Sequence, residues 1–227
     1  MSDRLSREHL ESDALVSGYA RAYAFYQEHK YRLIFGTLAV LILIGGGVWY
    51  YVDSMAQEQE AQEMLVGAEE FFQQGNYEQA LYGNEEGETV GFADIVSDYS
   101  RTDAANIASY YAAVSASRLG DYEDALYYIE RYNAPDGILG VGAISLHASI
   151  LSNLERFEES AQKYADAADW DENEVTTPQN LLNAAEASYE AGDYSTAEEF
   201  LVRIIDNYED TDYASDAKRM QGMLSAR

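Results

Sequence analysis

Catalysis needs a nucleophile with a base, or a set of metal ligands, and this chain holds few candidates for either. Its three histidines are His9, His29 and His147, and it has no cysteine. His9 and His29 precede a long apolar run, whereas 36 of the 41 acidic residues follow it. If that run crosses a bilayer, neither imidazole can meet a carboxylate from the far side to orient it. His147 stands alone in a helical pattern and reads as a packed structural side chain. Without cysteine there is no disulfide, thiolate metal site or thiol nucleophile. The segment Asp169-Trp170-Asp171-Glu172-Asn173-Glu174 opens as a calcium loop does, with oxygen side chains at alternate positions. It departs at the sixth position, where Glu174 replaces the glycine that makes the turn, and at the twelfth, where Asn180 replaces a bidentate glutamate. A solvated acidic loop is the plainer reading. Glu69-Glu70 and Glu198-Glu199 are neighbours along helical patterns, so the two members of each pair point to different sides and form no acid and base couple. No glycine-rich phosphate loop follows a strand. The expectation is a protein that is not an enzyme and takes no cofactor or metal.

The elements that position these residues begin with Leu33 to Val52, twenty residues without Asp, Glu, Lys or Arg. At about 1.5 Å per residue such a helix reaches roughly 30 Å, the thickness of a bilayer's hydrocarbon core. His29, Lys30, Tyr31 and Arg32 precede it. Trp49, Tyr50 and Tyr51 close it, and Asp53, Glu58, Glu60 and Glu63 follow, with no base until Arg101. Basic residues on the near flank place residues 1–32 in the cytoplasm, and the aromatic cluster suits the outer interface. The expected division is therefore a cytoplasmic segment 1–32, a transmembrane helix 33–52 and an exported, periplasmic domain 53–227. A cleaved signal peptide is the competing reading, because Ser54-Met55-Ala56 offers small residues to a signal peptidase. Against it, the apolar run is longer than a usual signal core, and the 32 residues ahead of it, with five acids and five bases, are too long and too balanced. Gly45, Gly46 and Gly47 form no G-x-x-x-G pair, so a lipid-facing glycine run is preferred to a helix-docking motif.

All of the net charge of -27 belongs to the part beyond residue 52, where 36 acids face 9 bases. Such a surface repels nucleic acid and anionic headgroups. Abundant acid with only three lysines (Lys30, Lys163 and Lys218) resembles adaptation to high salt, where screening relieves self-repulsion. An ordinary acidic periplasmic protein is the alternative. Two prolines among many Ala, Leu, Glu and Tyr residues favour helix over sheet.

Four phrases recur beyond the apolar run: Gly75-Asn76-Tyr77-Glu78-Gln79-Ala80, Gly120-Asp121-Tyr122-Glu123-Asp124-Ala125, Glu155-Arg156-Phe157-Glu158-Glu159-Ser160 and Gly192-Asp193-Tyr194-Ser195-Thr196-Ala197. Their aromatic positions lie 45, 35 and 37 residues apart, a period typical of helical solenoids. Each phrase reads as the elbow of a helical hairpin. Glycine ends one helix in the left-handed conformation, Asn or Asp caps the next, the aromatic wedges between them, and the small residue three positions on allows close packing. Ala68, Ala113, Ala148 and Ala185 each lie seven residues before an elbow. Helices are expected near 56–74, 77–82 with 92–98, 103–118, 121–132, 138–153, 157–168, 178–190 and 194–207, with Thr177 capping the helix that opens at Pro178. The stretch Gly83 to Gly91 is expected to loop out, and Tyr213, Ala217, Met220 and Leu224 mark a last amphipathic helix that caps the array. Residues 8–28 carry a weaker helical pattern, with an unstructured tail as the alternative.

With these elbows and alanines the chain resembles the tetratricopeptide repeat family. It departs where Glu155 and Ser160 replace glycine and alanine, in the stretched first unit, and in lacking the family's proline near each unit's end. The resemblance implies an all-α fold: a single N-terminal transmembrane helix followed by a helical-hairpin solenoid of about four repeats with a C-terminal capping helix. In that family the first helices of the hairpins line a concave groove for protein ligands. Aligning the units from their elbows places Leu65, Glu69, Phe72, Tyr110, Val114, Ser145, Ser149, Leu182, Glu186 and Tyr189 on that side, while most of the twenty tyrosines serve packing.

The whole arrangement is similar to the family of periplasmic ancillary subunits of the SecYEG translocon, including the aromatic stretch Tyr23-Ala24-Phe25-Tyr26-Gln27-Glu28-His29 before the anchor. That resemblance implies an inner-membrane protein, with its N-terminus in the cytoplasm, that holds or hands on newly exported chains. Its implied partners are the Sec translocon, periplasmic chaperones and exported clients, with the membrane engaged through Leu33 to Val52 and no nucleic acid. A structural scaffold of an envelope complex, for outer-membrane assembly or cell division, is the second reading, kept open by repeat-end-like residues Ile204 to Ala214.

Overall fold

A computed structural model describes residues 2–84 and 89–226, with side chains from residue 17 onward. Residues 85–88 of the expected loop, and the side chains of His9 and Leu15, lie outside that description. The described chain is all-helical, with ten helices: α1 Ser2–Gln73, α2 Tyr77–Tyr82, α3 Phe92–Asp98, α4 Asp103–Leu119, α5 Tyr122–Ile129, α6 Ile138–Asn153, α7 Phe157–Trp170, α8 Thr176–Glu190, α9 Tyr194–Asn207 and α10 Asp212–Ser225. It divides into two compact units, Met1–Met55 and Ala56–Arg227.

In the first unit every residue from Leu33 to Val52 is exposed, Leu43 at 74% and Trp49 at 70% among them. One helix of this length and apolarity, near the N-terminus, can serve as a single membrane span. Helix is also assigned over residues 8–28 and across 53–55, where separate segments were expected. The first proline of the chain is Pro135, and no breaker lies between Val52 and Ala56 to stop propagation.

In the second unit the elbows share one geometry. Gly75, Gly120 and Gly192 have φ of 76°, 86° and 82°, and Glu155 adopts the same left-handed region at 57°. At each elbow the following N–H reaches back five residues: Asn76 to Phe71, Asp121 to Ala116, Arg156 to Leu151 and Asp193 to Ser188, at 2.9 to 3.0 Å. This is the bond that closes a helix through a left-handed residue. Glu155 takes that conformation with a Cβ, which costs about 1 kcal/mol relative to glycine. Ala68, Ala113, Ala148 and Ala185 are fully buried, as are Ala80, Ala125, Ser160 and Ala197. The serine fits because its Oγ donates to the Ala148 carbonyl at 2.8 Å, so the buried hydroxyl is satisfied.

Capping differs from expectation. Asp193 alone among the elbow residues accepts from the next helix, at Thr196 N. That carboxyl is held down at about 2 by hydrogen bonds from Thr196 and Ser195. Its folded value lies below the ordinary 3.8, so the stability it adds is present above about pH 4 and fades as pH falls toward 2. Asn76 instead turns its amide to the Gln79 side chain. Thr177 is not the cap of α8: it is fully buried in the first turn, accepting from Asn173 N and donating to the Ala168 carbonyl. Asn173 does the capping, its Oδ1 accepting from Val175 N at 2.9 Å and Thr176 N at 2.8 Å. Glu58 of α1 reaches the start of α4, accepting from Asp103 N at 2.7 Å and Ala104 N at 3.2 Å, a carboxylate set against the positive end of a helix.

Other ends shift by a few residues. α5 stops at Ile129 rather than residue 132, because Arg131 and Tyr132 donate three residues back in a tightened last turn. α7 runs on to Trp170. The segment 83–91 separates α2 from α3 as expected, and its ends are pinched together. Asn84 and Thr89 exchange hydrogen bonds, and a Cβ on Gly91 would overlap the Leu81 carbonyl.

From α2 onward consecutive helices pack in sequence order, and α4 touches α6 as α6 touches α8, with α10 against both α8 and α9. One buried cluster gathers around Phe92, Leu81 and Ile95 and extends to Ile150. A second gathers around Leu181, Leu201 and Ile204 under α10.

Candidate functional site

The ten residues placed on the expected groove stand in different surroundings. Leu65 is buried at 7% and belongs to the first core cluster, a correction to its expected role. Phe72 packs edge-on against Tyr77 at 5.5 Å and Tyr111 at 4.9 Å, so its ring is spent on the core. Tyr110 leans on Tyr111 and Tyr132, at 5.9 and 5.3 Å between ring centres. Ser145 donates to the Val141 carbonyl or to Asn180 Oδ1, bracing α6 against α8. Glu69, Val114 and Ser149 are half-buried.

Leu182, Glu186 and Tyr189 are different: they come together on α8 in a cavity of about 470 Å³. α10 supplies Asp216, Arg219, Met220 and Met223 to the same cavity, Tyr164 enters from α7 and Ser152 from α6. The site therefore combines apolar stems (Leu182, Met220, Met223), two phenol rings and three carboxylates, counting Glu190. Arg219 pairs with Asp216 at 2.9 Å, which leaves Glu186 without a hydrogen bond or ion pair among the described residues. Burial against the walls, then the charge of Asp216, push the Glu186 carboxyl up from its ordinary value. Burial likewise raises the Tyr164 hydroxyl, so it stays protonated.

Two motifs singled out for chemistry are occupied otherwise. Arg203 of α9 bridges Asp169 and Glu172 at 2.6 Å each, so the acidic loop that opens like a calcium site already holds a cation of its own. Among the described residues no cluster of three metal-ligating side chains occurs. His147 lines a second cavity, about 550 Å³, with Ile129, Tyr132, Lys163 and Trp170. Burial, followed by the nearby Lys163 charge, lowers its pKa, so the ring is neutral at pH 7. Trp170 is fixed there by donating Nε1 to the Pro135 carbonyl at 3.2 Å, and Gly140 leaves the space that its indole needs.

Sequence reasoning missed the α10 side of the first cavity. The signal was present in part: Met220 belongs to the apolar stripe of α10, and Asp216 precedes it by one turn on the same face. No protein-family model matches the chain, and no curated protein gives a significant match.

Proposed function

We propose that this chain is a membrane-anchored, protein-binding scaffold of the tetratricopeptide type, serving as an ancillary translocon subunit that holds or hands on newly exported proteins beside the Sec channel. The observation that carries the reading is the recurrence of one elbow four times, each with two fully buried small residues around it, in a unit preceded by an exposed apolar helix. Contacts of α4 with α6 and of α6 with α8 support a stacked array, since alternate helices meet only when hairpins lie side by side. The topology proposed is residues 1–32 in the cytoplasm, the anchor at 33–52 and the rest in the periplasm. Lys30 and Arg32 on one flank, set against an acidic and aromatic far flank, support that orientation. The proposed chemistry is binding, with the cavity of α8 and α10 as its centre and no catalytic residue.

Capture from membranes in mild detergent, followed by identification of partners, tests this proposal. Sec channel subunits, periplasmic chaperones or unfolded exported chains are the expected partners. Recovery of outer-membrane assembly or division proteins in their place favours the envelope-scaffold reading, and recovery of lipid alone overturns both.

A further inference from the structure

Resting on the protein-binding reading, we infer that the cavity between α8 and α10 takes a basic side chain, Arg or Lys, flanked by an apolar residue of an extended peptide. The cavity is the right scale: about 470 Å³ holds one or two side chains and falls within the range of small-ligand pockets. Its walls divide by chemistry. Leu182, Met220 and Met223 offer an apolar track, with Met223 still 55% exposed and free to adapt. Glu186 and Glu190 stand along the same helix, four residues apart on one face, both exposed to an incoming charge.

Charge complementarity selects the occupant. Arg219 is paired with Asp216 at 2.9 Å and its charge also reaches Glu186, but Glu186 and Glu190 have no ion pair of their own among the described residues, so three carboxylates share one cation. A carboxylate in that position is stabilised by an incoming guanidinium or ammonium, which meets it with charge-assisted hydrogen bonds. The long aliphatic stem of Arg or Lys suits the methionine and leucine track. Acidic peptides are excluded by the same carboxylates, and a purely apolar segment would leave Glu186 desolvated and unpaired.

The test uses the full chain in detergent micelles and a fluorescent seven-residue peptide with one arginine between two leucines. Matched peptides carry glutamine or glutamate in place of the arginine. Fluorescence anisotropy should rank arginine above glutamine above glutamate, with binding of the first weakened by added salt. Glu186→Gln should cut affinity for the arginine peptide on the order of tenfold and leave the glutamine peptide unchanged. Glu123→Gln on α5 should alter neither. Met223→Ala, at an exposed site where folding is not at stake, should weaken the arginine and glutamine peptides together. Equal binding of arginine and glutamate peptides, or an unchanged Glu186→Gln variant, overturns this assignment while leaving protein binding elsewhere on the array intact. Failure of the parent to bind any of the three peptides overturns the cavity as a peptide site. In that case partner capture from membranes still reports separately on the scaffold reading.

Discussion

Phe92→Ala is expected to lower the stability of the unit beyond residue 55 by about 3 to 5 kcal/mol, the largest loss for any single truncation considered. Phe92 is fully buried at the start of α3, stacked on Tyr111 at 5.4 Å and meeting Phe72 edge-on at 6.2 Å between ring centres. Its loss opens a cavity where α1, α3 and α4 meet, and removes two aromatic contacts beyond the area it buries. A domain is stable by only about 5 to 15 kcal/mol, so the variant should unfold at a much lower urea concentration. Val202→Ala, on the outer face of α9 and 38% exposed, should stay within about 0.5 kcal/mol of the parent. Urea titration followed by far-ultraviolet circular dichroism decides it. A Phe92→Ala midpoint matching that of Val202→Ala would show that the ring does not anchor this cluster.

The second large effect concerns the apolar stretch 33–52, proposed above as a membrane anchor. Leu41→Arg together with Leu43→Arg should release the chain from membranes, since each arginine at the centre of a span costs about 2.5 to 3.5 kcal/mol and two cost about 5 to 7. Leu41 and Leu43 are 59% and 74% exposed, so neither substitution disturbs a packed core. After alkaline carbonate extraction the parent should sediment with membranes, and the double variant should remain in the supernatant. A variant that still sediments would assign membrane attachment to some other part of the chain.

The repeat phrases made much of the helical layout legible, because the physics of an elbow is local. A left-handed residue, a buried small residue on each side and an aromatic at the helix start are all set within about ten residues. Even Glu155 follows the pattern, its left-handed φ of 57° standing where the other elbows have glycine. Capping was less legible, because Asn76 and Asp121 have the right chemistry at the right place while the cap of α8 comes from Asn173 in the loop ahead of it. Side-chain oxygens compete for several nearby donors, and composition does not decide which one wins. The candidate site was half legible: Leu182, Glu186 and Tyr189 follow from the elbow alignment. Asp216, Arg219 and Met223 belong to a helix outside the repeats, so no periodicity pointed to them. Leu65 is core where a groove position was expected, because equivalent positions in successive repeats differ in burial, and Phe72 is half-buried where Phe92 of α3 meets it edge-on.

The central expectation is that the face between α8 and α10 meets protein in the membrane. The most direct measurement places a photoreactive amino acid at position 223 in the full chain, irradiates intact membranes and identifies the adducts. Adducts with Sec channel subunits, periplasmic chaperones or exported chains are expected from position 223, and few or none from position 123 on α5. No protein adduct from 223, or the same adducts in equal yield from 123, would rule out this face as the binding site.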